Sequence, residues 1–255
     1  MNWEVLDLNI LGPAFLAGLV VASTHVPLGR HVLQRGIIFL DLAVAQTAGM
    51  GIVLAHSFHW APGGWQVQLV AVSAALMASY LLHLTEKRWP EVQEALIGGL
   101  FVLTSSVSIL LLAANPHGGE YLKELLVGQI LWVSYQQLIP VALLYLVILV
   151  LWFAFRQQRS SLGFYLLFAV AITASVQLVG VYLVFASLVL PALAVRDSKR
   201  KANRTGYMIA ASGYGVGLLL AALWDLPAGA MIVCTLTVVS LIAGGLLRFN
   251  SQRWA

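Results

Sequence analysis

Seven apolar segments of 17–20 residues follow one another along this chain, at 9–26, 37–55, 66–84, 95–114, 138–155, 207–223 and 229–247. A helix rises about 1.5 Å per residue, so each segment is long enough to cross roughly 30 Å of hydrocarbon. Lipid offers no water to an unpaired backbone group, which leaves helices and closed barrels as the only spanning structures. The segments are far longer than the roughly 10-residue strands of a barrel, so helices remain. Charge agrees: 9% of the residues are charged and 60% hydrophobic, against about 25% charged in a soluble domain. The expected fold is an all-α polytopic membrane protein, organised as one transmembrane domain over residues 1–255.

A further stretch, 162–195, is too long for one crossing. Two crossings of about 17 residues fit it, with Gly180 at the turn. So does a re-entrant pair of helices enclosed by protein, where irregular backbone is tolerated at depth. The bundle therefore has about seven to nine membrane helices.

Cations set the expected orientation. Arg30 and Arg35, Lys87 and Arg88, Arg156 and Arg159, then Arg196, Lys199, Arg200, Lys201 and Arg204, and finally Arg248 and Arg253 fall in alternate loops, while the remaining loops hold only Lys123. Basic residues gather on the cytoplasmic side, which puts the N-terminus outside and the C-terminus in the cytoplasm. The net charge of +4 is explained by topology and needs no nucleic-acid partner; membrane lipid is the partner that the apolar spans imply. The first ten residues carry Glu4 and Asp7 where a signal peptide would be basic, so the first apolar run reads as a retained helix in a multi-pass inner-membrane protein.

Polar residues inside apolar runs are costly and tend to face protein or a water-filled path. Asp41, in GIIFLDLAVAQTAGMG, has three readings: lining a translocation cavity, a structural acid bonded to a neighbouring helix, or an acid near the cytoplasmic end paired with Arg35 or Arg30. Gln46 reads as a helix–helix hydrogen-bonding residue or part of the same path. The small residues Ala43, Ala45, Ala48, Gly49 and Gly51 allow close helix approach and place this span centrally. His56, His59, His117 and Glu120 lie around the outer loops and could receive a metal there. Asp225 reads as a cap before the last helix. Cys234 reads as a small buried hydrophobe, and Trp60, Trp65, Trp89, Trp132, Trp152 and Trp224 as interfacial belts. No phosphate-binding glycine loop, H-E-x-x-H or G-x-S-x-G occurs, so catalysis and ATP hydrolysis are expected elsewhere than on this chain.

Five segments in order resemble the permease subunits of zinc/manganese-type ABC transporters: VPLGRHVLQRGIIFLDLAVAQTAGMG, EVQEALIGGLFVL, LLVGQILWVSYQQL, SVQLVGVYLVFASLVLPALAVR and GLLLAALWDLPAGAMIV. In that family the first segment passes through a P-L-G turn into a helix with an acid near its start. The resemblance implies a homodimeric permease with separate ABC ATPase subunits and an extracytoplasmic metal-binding protein. It binds no cofactor of its own and moves Zn²⁺, or Mn²⁺ as second choice, by alternating access. It also implies that Pro191, Ala192, Ala194 and Arg196 form a cytoplasmic coupling helix that docks on the ATPase. The family's D-x-x-x-H pair is replaced here. With Gly51 aligned, its positions fall on Leu42 and Gln46, and Asp41 stands one residue early, about 140° around the helix from Gln46. A metal-chelate ABC permease and an ATP-independent secondary transporter are the alternatives.

If the cations set topology, a cysteine placed at Ser198, in a chain with Cys234 replaced by Ala, reacts with a membrane-impermeant maleimide only after the cells are opened. Labelling in intact spheroplasts reverses the orientation.

Overall fold

A computed structural model describes residues 7–56, 58, 60, 64–113, 118–154, 161–198 and 202–252, with side chains through 249. These residues form ten α-helices and no strand: α1 (Leu8–Arg35), α2 (Leu40–His56), α3 (Trp65–Arg88), α4 (Gln93–Leu112), α5 (Gly118–Val127), α6 (Tyr135–Ala154), α7 (Ser161–Val179), α8 (Val181–Ala194), α9 (Ala202–Trp224) and α10 (Ala228–Gln252). Seven are long and apolar enough to cross a membrane, while α2 and α8 are shorter apolar helices. The amphipathic α5, which no apolar run announced, sets Tyr121 and Leu125 against Ile52, Ala55, Val67 and Ala71 of α2 and α3. The helices fall into two compact units, one of residues 1–35, 127–147 and 178–255, the other of 36–126 and 148–177.

In the first unit α1, α8, α9 and α10 pack on one another. The expected turn at Pro27-Leu28-Gly29 is absent: α1 runs through all three for 28 residues, and the chain breaks only at Gly36, whose φ is 72°. A proline inside a helix removes one N–H and frees the carbonyl four residues back. For Pro27 that carbonyl belongs to Ser23, and the Tyr207 hydroxyl donates to it at 3.1 Å. Gly29 fits because a Cβ there would stand 2.0 Å from the Leu188 carbonyl oxygen. Gly18 likewise leaves room for the ring of Tyr214, whose hydroxyl lies 2.7 Å from the Ser187 hydroxyl. Three helices meet at that buried pair. On the other flank Gly213 and Gly217 let α10 approach α9, and Thr235 donates to the Gly213 carbonyl at 2.8 Å.

The stretch 162–195 resolves into α7 and α8 separated by the single residue Gly180, at φ 81°. Fourteen residues rise only about 21 Å, short of a bilayer. Its residues Val181, Leu183, Val184, Ala186, Ser187 and Leu188 are nearly inaccessible, which is where a short helix is tolerated. Gly128, also at positive φ, crosses the break backbone to backbone: a Cβ on Gly128 would lie 2.1 Å from the Val179 carbonyl oxygen, and one on Gly180 2.4 Å from the Gly128 nitrogen. Asp225 departs from its expected role. At φ 52° it follows the last turn of α9, and Leu226 N–H reaches back to the Ala221 carbonyl at 3.0 Å. That six-to-one bond closes a helix C-terminus, so Asp225 ends α9.

In the second unit α2 packs on both α3 and α4. Gly51 meets the backbone of Val70 and Ala71, and Ala43, Ala45, Ala48 and Val44 are buried around it, as the small-residue pattern anticipated. α7 runs antiparallel along α3, since Ser161 donates to Glu86 at 2.5 Å near one end and Gln68 donates to Gln177 at 2.5 Å near the other. With the serine proton committed to Glu86, His83 Nδ1, 3.1 Å away, is the donor to the serine oxygen. Gln93, 3% exposed, accepts from Thr85 and donates to the Leu82 carbonyl at 2.8 Å, closing the corner between α3 and α4. Trp152 departs from the belt reading: it is buried, its ring 6.2 Å from that of Phe164. Cys234 is exposed on α10, so it is no core residue of this chain.

Gly29→Ala should lower stability by about 1–3 kcal/mol or more by forcing α1 off α8. Gly99→Ala, on α4 where a Cβ meets nothing within 4 Å, should be neutral or raise stability by up to about 1 kcal/mol. Thermal unfolding of the two purified variants checks the contrast.

Candidate functional site

The turn at 37–39 starts α2 at Leu40, so Asp41 occupies the first helical turn. It is fully buried, and neither carboxylate oxygen has a hydrogen-bond partner among the described residues. Its nearest donors are the backbone amides of Asp41 itself and Leu42, and the nearest like charge is Glu94. The positive end of a helix favours an acid here by about 0.3–1 kcal/mol, a small offset against burial. The expected pairing with Arg35 or Arg30 supplies no hydrogen bond to the carboxylate; the Arg30 guanidinium donates to Asn203 instead.

Glu94 stands in the first turn of α4. One of its oxygens accepts from the Ile38 amide, in the turn that introduces α2, and the other is buried without a partner. That bond ties the start of α4 to the start of α2 and leaves two acids with unused oxygens at one end of the unit. Sequence reading passed over Glu94 as a site residue, although the segment EVQEALIGGL displayed it; its pairing with residue 38 spans 56 positions and leaves no local pattern. Gln46 is buried one and a half turns further along α2. The helix is continuous from Leu40 to His56, so no distortion brings Gln46 onto the face of Asp41. Oxygen atoms held this way, buried and short of donors, can serve a cation that passes or lodges.

The outer candidates are dispersed. His56 ends α2, fifteen residues or about 22 Å from Asp41, and packs edge-on against Tyr121 with ring centroids 5.0 Å apart. Burial, helped by Glu124, pushes the Tyr121 hydroxyl up to about 12, so it keeps its proton at neutral pH. Glu120 lies in the first turn of α5, and His59 and His117 fall outside the described residues. Among the described residues no three His, Cys, Asp or Glu side chains gather as a metal cluster.

At the other candidate region, Pro191 and Ala192 are buried in the last turn of α8, Ala194 lies half-buried against Gly244, and Arg196 is exposed in the turn that follows. The segment is therefore the end of α8 and its turn, held by the Val195 amide on the Pro191 carbonyl and the Ser198 amide on the Val195 carbonyl at 3.0 Å. A cavity of about 210 Å³ lined by Arg30, Leu33, Gln34, Ala192 and Arg196 opens beside it. Lys199, Arg200 and Lys201 lie outside the described residues.

The sequence matches the model of the ABC 3 transport family over residues 7–164 and 155–245. A membrane protein of Synechocystis sp., itself uncharacterised, is 26% identical over 264 residues, covering 94% of this chain and 92% of the relative. Among solved structures, PsaBC from Streptococcus pneumoniae in complex with Fab aligns at a TM-score of 0.76 with 20% identity, over 95% of both chains. An ABC transporter described as of metal-chelate type, in an inward-facing conformation, aligns at 0.63 with 15% identity, over 92% of this chain and 83% of its own.

Replacing Glu94 by Ala strips the Ile38 amide of its acceptor and should cost about 1 kcal/mol, whereas Glu94→Gln keeps the bond and stays near wild type. Denaturation midpoints of the two variants test this.

Proposed function

The chain belongs to the ABC 3 transport family, and from that premise we propose that it is the membrane subunit of an ATP-driven importer for a divalent transition-metal ion. Two copies form the path, ABC ATPase subunits on separate chains supply the energy, and an extracytoplasmic binding protein delivers the metal. The observation that carries the reading is Asp41, a fully buried acid with two unused oxygens, beside Glu94 with one more. Such a pair attracts a cation and releases it readily, because among the described residues no third ligand completes a closed site. Sequence reading put zinc first and manganese second. Oxygen donors suit the harder ion, while zinc favours imidazole and thiolate, so the described donor set moves manganese forward. The turn at Arg196 and the cavity beside Arg30 and Gln34 are the surface on which the ATPase acts. ATP-driven closure there tilts α8 and opens the path to the opposite side.

A second reading, import of a metal chelate, is favoured by the missing D-x-x-x-H pair and by the fold likeness to the metal-chelate type transporter. Uptake by the complete transporter in vesicles, measured across Mn²⁺, Zn²⁺ and chelated iron, separates the two. Asp41→Asn should lower uptake of the free ion at least about tenfold, the loss of roughly 1.4 kcal/mol of ion stabilisation, with assembly unchanged. A cysteine at Ser198 should crosslink to the ATPase. Uptake confined to the chelate, or full transport by Asp41→Asn, overturns the proposal.

A further inference from the structure

A groove of about 400 Å³ runs between the end of α8 and the C-terminal half of α10. From Thr237 to Arg248 it spans twelve residues of α10, a rise of about 16 Å, or half the roughly 30 Å of a bilayer's hydrocarbon. It is thus one leaflet deep. Its walls are apolar, with Leu190, Leu193 and Leu241 on the sides and Gly244 and Gly245 leaving the floor bare. Leu241 is 71% and Leu193 41% exposed, so it opens sideways.

One end is cationic. The Arg196 and Arg248 guanidiniums line it and both contact the Asp197 carboxylate, at 3.5 and 3.2 Å. Both guanidiniums border the groove, which makes that end a place for an anionic group. Part-way along the groove, Ser240 carries a buried hydroxyl with no hydrogen-bond partner. Elsewhere on these helices the hydroxyls of Thr235, Thr237 and Ser187 bond back to a carbonyl of the preceding turn. Ser240 does not, and a buried donor without an acceptor is costly.

We propose that this groove seats one anionic phospholipid: its phosphate on Arg196 and Arg248, an ester carbonyl accepting from Ser240, and an acyl chain along Leu190, Leu193 and Leu241 over the two glycines. Paired guanidiniums bind phosphate in charge-assisted, forked geometry, and basic recesses between membrane helices at the cytoplasmic side select anionic headgroups. The depth, the sidewise opening and the lone hydroxyl suit a lipid better than a soluble phosphate compound, which has nothing to place against the leucines. The lipid sits directly behind the turn that carries Arg196.

The test is native mass spectrometry of the detergent-purified chain titrated with phosphatidylglycerol or phosphatidylcholine of identical acyl chains, with millimolar inorganic phosphate as competitor. The expected result is one tightly held phosphatidylglycerol per chain, preferred over phosphatidylcholine at least about fivefold, the contribution of one arginine near a membrane surface. Phosphate should not displace it. Arg248→Ala should bring the preference close to one. Gly245→Leu, whose Cβ meets nothing within 4 Å, should fill the groove and weaken both lipids equally. If Gly245→Leu does not yield folded protein, protection of Gly245→Cys from maleimide by phosphatidylglycerol but not phosphatidylcholine, with Cys234 replaced by Ala, supports the site instead. Equal retention of the two lipids by the wild-type chain overturns it. So does displacement by phosphate, unaltered binding in Gly245→Leu, no protection of Gly245→Cys, or efficient crosslinking of Gly245→Cys between two copies.

Discussion

In hydrocarbon no water is at hand to hydrogen-bond a stray backbone group, and most of this architecture follows from that single scarcity. Long helices satisfy it by themselves. Where the chain does something else, a neighbour intervenes. Pro27 frees the Ser23 carbonyl, and the Tyr207 hydroxyl takes it up. The turn that introduces α2 leaves the Ile38 amide open, and Glu94 accepts from it. The short α8 lies buried among α1, α9 and α10. Close packing serves the same end, because at Gly29, Gly18 and Gly217 a missing Cβ lets partner atoms come within reach.

Side chains are governed by the same scarcity, which makes the exceptions informative, two of them above all. Asp41 and Ser240 are each buried with polar atoms unspent, one in each compact unit. A protein built only for stability would have replaced them with Leu and Ala at little cost, since an apolar group of similar size spares the desolvation penalty. The acid sits beside a second acid, which worsens its position unless a cation relieves it. The hydroxyl sits in an apolar groove capped by two arginines. The two sites ask for opposite partners, and neither is explained by packing.

Much of the helical framework was legible in the sequence because hydropathy acts over whole segments. Six of the seven expected spans are long apolar helices; the seventh, 37–55, is the shorter α2, and α7 from the undecided stretch 162–195 completes the seven long ones, while the small residues of α2 identified its crowded setting. What escaped notice depends on contacts far apart in sequence. Pro27 and Gly29 looked like a turn, yet a carbonyl on α8 and a hydroxyl on α9 make continuous helix the better solution. Trp152 looked interfacial by position, but α7 presents Phe164 to it. Asp41 seemed to lie within a span, whereas Gly36 and the following turn start α2 only one residue before it. Glu94 stood in view within EVQEALIGGL, but nothing local tied it to Ile38, 56 positions away. For Asp225, a left-handed backbone and a six-to-one bond assign it to the helix behind it, not ahead.

Where Gly128 passes Gly180, the obstacle to a side chain on either residue is main chain, which no neighbouring substitution can trim. Ordinary crowding can be relieved by shrinking the offending neighbour; here there is none to shrink. The two positions are therefore closed to gradual exploration, and a lineage could escape them only by re-threading the segment around residue 128 in one step. The crossing is a fixed point about which the remaining surfaces of that unit are free to diversify.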